Sequence, residues 1–456
     1  MIKVNIDNQG LAHEIYEFLR VVFPSYERES FIYAEISDNF LKINSEEYNF
    51  SIPIKEVKNL QRYLKLELIN RLRQAGVETP KWGVLHGIRP LKLIYNLDKE
   101  LGTHKAKNYL KEEYAIYESK IDLAFDILNV QRDIIESNLN NYSVYVHIPF
   151  CPSKCAYCSY HTLSSSSNLV EDYVDRIVEE INTEAKFLNK HPSSIYIGGG
   201  TPTSIGVKNL SRIIDTLKNN FGTVKEFTVE AGRVETLDDE MINMLHQKEI
   251  DRISLNPQSM NLNTIKAINR TNSVDEFIEC YEKVKGKFKD INMDLIIGLE
   301  KENEYDFFKS LDSIIKLAPT NITVHSLALK NGTNYLKNQT SSKFDSEFND
   351  RVIERLKENS YNPYYMYRQK RIIGGNENIG YSLKGHECIY NIMMIQELQD
   401  IWGFGMGSTS KIHLSDKKFE QVSNFRSMRE YLLRNKEISD KKLRILSGKN
   451  RGELWN

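Results

Sequence analysis

The 456-residue chain carries 61 basic and 62 acidic side chains, a formal net charge of −1, with 40% hydrophobic and 27% charged residues. This is the composition of a globular protein of two or three domains, and its charge balance excludes a nucleic-acid or membrane-surface binder that works by bulk attraction. No apolar run reaches the roughly 18 residues of a transmembrane helix, and the opening MIKVNIDNQG has neither the basic nor the apolar segment of a secretory signal; a cytoplasmic protein with no nucleic-acid and no membrane partner is expected.

Residues 1–140 read as an N-terminal α+β domain. IKVNI (2–6) alternates as a strand, and LAHEIYEFLRVVF follows as an amphipathic helix. FIYAEIS, FLKINSE and EYNFSIP predict three short strands, and KEVKNLQRYLKLELINRLRQAG predicts a long helix stopped by Gly76. WGVLHGIRPLKLIY (82–95) is punctuated by Gly83, Gly87 and Pro90, and helical stretches follow near 104–118 and 120–138. From residue 143 the rhythm changes. Short apolar runs at 143–148, 194–199, 226–231, 252–257, 292–297 and 321–329 alternate with helical patterns. Each crossover helix returns the chain in the same direction, so the strands should form a parallel sheet. The predicted class is α/β, with a partial (β/α)6 barrel over residues 141–335. Chemistry in such folds gathers at the C-terminal strand ends, where Cys151, the glycines 198–200, Glu230 and Gln258 fall. Residues 336–456 break the rhythm. They are rich in Gly, Tyr and basic residues and read as an appended, substrate-covering C-terminal domain.

The chain has five cysteines, too few for a disulfide framework. Three of them, Cys151, Cys155 and Cys158, lie within eight residues in YVHIPFCPSKCAYC, on a loop after a buried strand. The C-x3-C-x2-C spacing suits a 4Fe–4S cluster: three thiolates hold three irons and leave the fourth open to a small molecule. Zinc would want a fourth ligand, which His147 or His161 could supply, and a redox pair of Cys155 and Cys158 would leave Cys151 unexplained. Cys280, in a helical pattern, reads as a small buried hydrophobe. Cys388 sits in GHECIYN between His386 and Tyr390, where a structural role is the plainer reading.

The motif YVHIPFCPSKCAYC together with GGGTPT resembles the radical S-adenosylmethionine (SAM) superfamily, and within it the oxygen-independent coproporphyrinogen III oxidase family. WGVLHGIRP, YRQK, GHECIYNI and IWGFGMGSTSK are similar to its Z-type, coproporphyrinogen dehydrogenase branch, which extends the resemblance over nearly the whole chain. The resemblance implies a 4Fe–4S cluster on Cys151, Cys155 and Cys158, and one or two SAM molecules cleaved to a 5′-deoxyadenosyl radical. It places Gly199, Gly200 and Thr201 on the SAM amino group, Tyr145 in contact with SAM, and Tyr157 near the adenine. Glu230 is implied to take the amino or ribose group, and Gln258, Arg270 and Asp294 to lie on SAM.

The activity implied is the anaerobic oxidative decarboxylation of two coproporphyrinogen III propionates to vinyl groups, giving protoporphyrinogen IX in haem biosynthesis. A flavodoxin or ferredoxin is the implied electron donor. Arg368, Lys370 and Arg371 form a basic knot suited to propionates. The oxidase branch carries a fourth cysteine two residues after the third, where this chain has Tyr160. That departure leaves room for other radical SAM chemistry on the same scaffold: methylation, cyclopropanation or haem ring opening. A haem-binding chaperone is the reading from a different class.

Overall fold

The computed structural model describes the chain apart from residues 24–30, 86, 88, 161, 189–190, 329–343, 345–346, 370–376, 416–417 and 451–456. It divides into two compact units, Met1–Leu128 and Asn129–Asn456.

In the first unit, strands β1 (Ile2–Asn5), β2 (Ile32–Ser37), β3 (Phe40–Ser45) and β4 (Asn49–Pro53) lie in sequence order. β1 is parallel to β2 because the helix Gln9–Val22 crosses between them, and the other pairs are antiparallel. That helix and Leu60–Gln74 bury one face, with Ile15, Phe18, Leu64 and Leu68 packed against Ala34, Leu41 and Ile43. The punctuated stretch after residue 82 holds a helix the periodicity did not predict, Pro90–Leu101. Pro90 begins it, where a missing N–H costs nothing, and Gly102 ends it.

The second unit is built on an eleven-stranded sheet. Six strands match the predicted runs: β5 (Tyr142–Ile148), then, after the short pair β6 (Phe150–Cys151) and β7 (Leu163–Ser164), β8 (Ser194–Gly199), β9 (Glu226–Glu230), β10 (Arg252–Ser254), β11 (Asp290–Ile297) and β12 (Asn321–Ser326). All six run parallel in chain order. Five more strands extend the two edges. β13 (Asn362–Tyr367) and β14 (Asn378–Ser382) lie beyond β12, and β15 (Asp400–Phe404), β16 (Thr409–Ser415) and β17 (Lys418–Ser423) lie beyond β5. Among the described residues β13 and β17 remain edges, so the barrel is partial and open.

A parallel sheet covered by helices on both faces usually reads as unbroken apolar runs. Here the strands alternate. Val144, Val146, Ile195, Ile197, Phe227, Val229, Met293, Leu295, Ile322 and Val324 are buried. Between them Tyr145, Tyr196, Glu230, Asn292, Asp294, Thr323 and His325 face a cavity. The lumen is therefore a polar site rather than a packed core.

The helix Met428–Asn450 is tied to this sheet by a buried charge cluster. Lys442 has no exposed surface, and its Nζ lies 3.1 Å from Glu180 Oε1 and 3.1 Å from Glu184 Oε2. Trp402 and Ser439 donate to Glu184, while Tyr431, Asn424 and the Gly405 amide donate to Glu180. Every carboxylate oxygen thus has donors, which is what makes burial of such charges tolerable. No helix among the described residues is long and apolar enough to cross a membrane.

Candidate active site

The C-terminal strand ends surround a cavity of about 360 Å³, within the range of small-molecule sites. Cys151, Cys155 and Cys158 line it beside Gly199, Gly200 and Thr201. Their loop is pinned from below: the Ala156 amide donates to the Ile268 carbonyl (3.1 Å), and Asn269 Nδ2 to the Lys154 carbonyl (2.8 Å). Thr201 Oγ1 lies 3.5 Å from Cys151 Sγ. Arg233, only 4% exposed, donates to Cys155 Sγ at 3.3 Å and is held by Glu235 and Ser153.

The glycines are required by contact. A Cβ at Gly198 would come within 2.9 Å of the Glu230 carboxylate, and one at Gly200 would overlap the Phe150 carbonyl and reach 3.0 Å from Cys151 Sγ. Gly199 has φ +118°, a conformation L side chains rarely adopt. Its amide donates to Glu230 Oε2 (3.1 Å), and Tyr196 OH donates to Oε1 (2.7 Å). Burial pushes the Glu230 carboxyl up to about 7.

The other predicted SAM residues converge on the same cavity. Tyr145 lines it, stacked on Tyr390 at 6.0 Å, its OH 3.1 Å from His147 Nδ1. Tyr157 packs against Ile268, Ile296, Leu299 and Leu327, with Arg270 Nη2 3.5 Å from its OH. Arg270 also donates to the carbonyls of Gly232 and Asn256. Gln258 has φ +67° and bridges to β11 through its amide on the Asp294 carbonyl. Asp294 accepts from Asn292 Nδ2 (2.7 Å) and lies 3.6 Å from His325 Nε2.

The expected substrate residues are placed differently. Arg368, expected to hold a propionate, is buried with Glu377 nearby and does not line the cavity. Tyr365, Tyr367 and Gln369 do. Arg368 lies just past the end of β13, outside the regular strand. Lys370 and Arg371 lie outside the described residues, as does His161. His147 packs under Gly199 and is not among the cavity's lining residues. Among the described residues no three His, Cys, Asp or Glu side chains converge tightly enough to hold one metal ion.

Composition and spacing did not single out Tyr196, Arg233, His325, Tyr365 or Tyr367. Tyr196 and Arg233 carried a usable signal. Tyr196 lies two residues before Gly198 on the inward face of its strand, and Arg233 lies three past Glu230. His325 and the β13 tyrosines are brought in only by strand pairing. Cys280 is buried in the helix Val274–Val284. Cys388 lines the deep end of the cavity, its thiol 3.2 Å from Glu226 Oε1. Arg252, 2% exposed, bridges Glu226 and Asp290 there.

Residues 145–314 match the radical SAM superfamily. The chain is 36% identical over 430 residues to the oxygen-independent coproporphyrinogen-III oxidase-like protein HemZ of Bacillus subtilis, a match spanning 90% of this chain and 85% of that protein. This chain belongs to the HemZ-like family of radical SAM proteins. A heme chaperone HemW of Buchnera aphidicola is 26% identical over 270 residues, 58% of this chain and 66% of its own. The structure of coproporphyrinogen III oxidase (HemN) from Escherichia coli has the same fold, with a TM-score of 0.53 at 19% identity over 69% of this chain and 73% of that one.

The radical SAM cofactors are a 4Fe–4S cluster and SAM. The residues present fit both. Three thiols border one cavity beside a glycine cradle that any Cβ would fill. The same cavity wall carries buried polar atoms with no partner among the described residues: Gln258 Oε1, Asn256 Oδ1 and Arg270 Nε. Such groups are costly to bury unless a ligand completes them.

Proposed function

We propose that this HemZ-like protein decarboxylates two propionates of coproporphyrinogen III to vinyl groups, giving protoporphyrinogen IX. The observation that supports this reading is the match to the Bacillus HemZ along 90% of the chain, well beyond the radical SAM segment. Each turnover removes a hydrogen atom, carbon dioxide and one electron from a propionate. The electron passes to an acceptor of the flavin or iron–sulfur class, and a flavodoxin or ferredoxin serves as donor.

Cys151, Cys155 and Cys158 would hold the cluster, with Arg233 offsetting thiolate charge at Cys155. Tyr145, Tyr157, Gly199, Gly200, Thr201, Glu230, Gln258, Arg270 and Asp294 would hold SAM. When bound, cluster and SAM together supply one-electron C–S cleavage and hence hydrogen-atom abstraction. The chain's own residues orient and exclude. The glycine cradle permits close backbone approach, Tyr157 and its apolar neighbours keep water from one side, and Glu230 presents an acceptor for an ammonium. Lys370 and Arg371 are proposed to meet propionates that are not reacting.

Glu230 makes the SAM assignment testable by pH. Its folded pKa of about 7 lies above the ordinary 4.5. Its contribution to stability is therefore full below about 4.5 and lost as pH rises through about 7. The carboxylate that an ammonium needs forms over the same interval. SAM affinity, titrated calorimetrically on reconstituted protein, should rise with pH through about 7. Glu230→Gln should remove that step and weaken SAM by about 10- to 150-fold, the worth of a hydrogen bond to a charged group. Asp294→Ala should weaken SAM similarly while retaining iron. Normal SAM titration by both variants would sink the assignment.

The test of the function is anaerobic incubation of reconstituted protein with SAM, a reductant and coproporphyrinogen III. Mass analysis should show loss of two carbon dioxides. Gain of methyl or ring opening would assign one of the other radical SAM reactions. Stoichiometric haem binding without SAM cleavage would assign the role named for the HemW relative.

A further inference from the structure

Among the described residues, Thr323, His325, Tyr365, Tyr367 and Gln369 line the β12–β13 side of the cavity, with no Lys or Arg among them. Tyr365 reaches it by crossing β14, which is possible because residue 380 is glycine: a Cβ there would overlap the tyrosine ring. Tyr365 OH lies 3.5 Å from Thr323 Oγ1. Two residues on, Tyr367 OH lies 3.2 Å from His325 Nδ1, and Gln369 Nε2 is 3.5 Å from the same hydroxyl. His325 stands beside Asp294, so this group adjoins the proposed SAM residues. Burial raises the Tyr367 pKa above that of an ordinary phenol, so it stays a donor.

Among the described residues, the cations that line the cavity are engaged or stand elsewhere. Arg233 pairs with Glu235, Arg252 with Glu226 and Asp290, and Arg270 caps carbonyls under Tyr157. Lys154 belongs to the cysteine loop. Arg368, just past the end of β13, is not among the lining residues.

We propose that Tyr367 and Gln369, whose side chains carry no charge, form with His325 beside them a hydrogen-bonding cradle for the carboxylate of the propionate that loses carbon dioxide. The inference rests on the porphyrinogen reading above. Decarboxylation removes negative charge from that carboxylate. A cation held against it would stabilise the starting state more than the transition state and slow the step. Neutral O–H and N–H donors position the group with less of that penalty. The two propionates that persist in the product carry no such restriction and can be met by cations.

The test uses reconstituted full-length protein under anaerobic conditions. Coproporphyrin III fluorescence gives the affinity without turnover, and the ratio of vinyl product to 5′-deoxyadenosine gives coupling. Tyr367→Phe, which keeps the ring, should weaken coproporphyrin III by about 10-fold or more and lower the ratio, while SAM affinity holds. Gln369→Arg should split the parameters, with tighter coproporphyrin III binding and a lower kcat for decarboxylation. Unchanged affinity and ratio in Tyr367→Phe, or a raised kcat in Gln369→Arg, would overturn the cradle while wild-type protein still decarboxylates. A wild type that cleaves SAM without forming vinyl product would overturn the substrate reading itself, and the cradle with it.

Discussion

Lys442→Ala is expected to destabilise the second unit by about 3–5 kcal/mol, because it strands two carboxylates in a fully buried site. Glu180 and Glu184 face the ammonium with no exposed side-chain surface. The damage should also reach the cavity. Glu180 accepts from the Gly405 amide, and a Cβ at Gly405 would lie 2.5 Å from the His147 carbonyl and the Tyr173 hydroxyl. Tyr173 packs on Phe150 at 5.3 Å, and Phe150 precedes the first cysteine. Urea unfolding monitored by fluorescence should show the shifted midpoint. Lys442→Met combined with Glu180→Gln and Glu184→Gln should recover much of the loss, since that variant buries no unpaired charge. A midpoint for Lys442→Ala within error of wild type would mean that the charge cluster does not hold the C-terminal helix.

Replacing Cys151, Cys155 or Cys158 by Ala should abolish SAM cleavage, the largest functional effect anticipated for this chain. Each thiol lines the cavity, and removing one leaves too few ligands for a cluster with a single open iron. Iron content and the visible absorbance of reconstituted protein should fall together with 5′-deoxyadenosine formation. Cys280→Ala is the control. Its thiol is buried in a helix remote in sequence from the loop, and both readouts should match wild type. A Cys151→Ala protein that forms 5′-deoxyadenosine at the normal rate would refute the three-thiolate assignment.

The sequence by itself determined the parallel core and the cysteine end of the site. The six β-runs were legible because their apolar residues pack against crossover helices, and the site residues at their ends follow directly from strand direction. Cys151, the glycines 198–200, Glu230 and Gln258 all belong to this set, each within a few residues of a strand terminus, while Asp294 was implied by the family resemblance. The helix Pro90–Leu101 was hidden because two glycines and a proline read as a loop, although Pro90 occupies the one helical position that suits it. Only the tertiary structure decided the β12–β13 side of the cavity. β13 and β14 come from residues 362–382 and join β12 antiparallel, a pairing between segments distant along the chain that no local periodicity encodes. That pairing, with a glycine at 380, brings Tyr365 to Thr323 and Tyr367 to His325. Tyr365, Tyr367 and Gln369 line the cavity and Arg368, just past the end of β13, does not, because which side of an edge segment faces a cavity is set by strand partners distant along the chain.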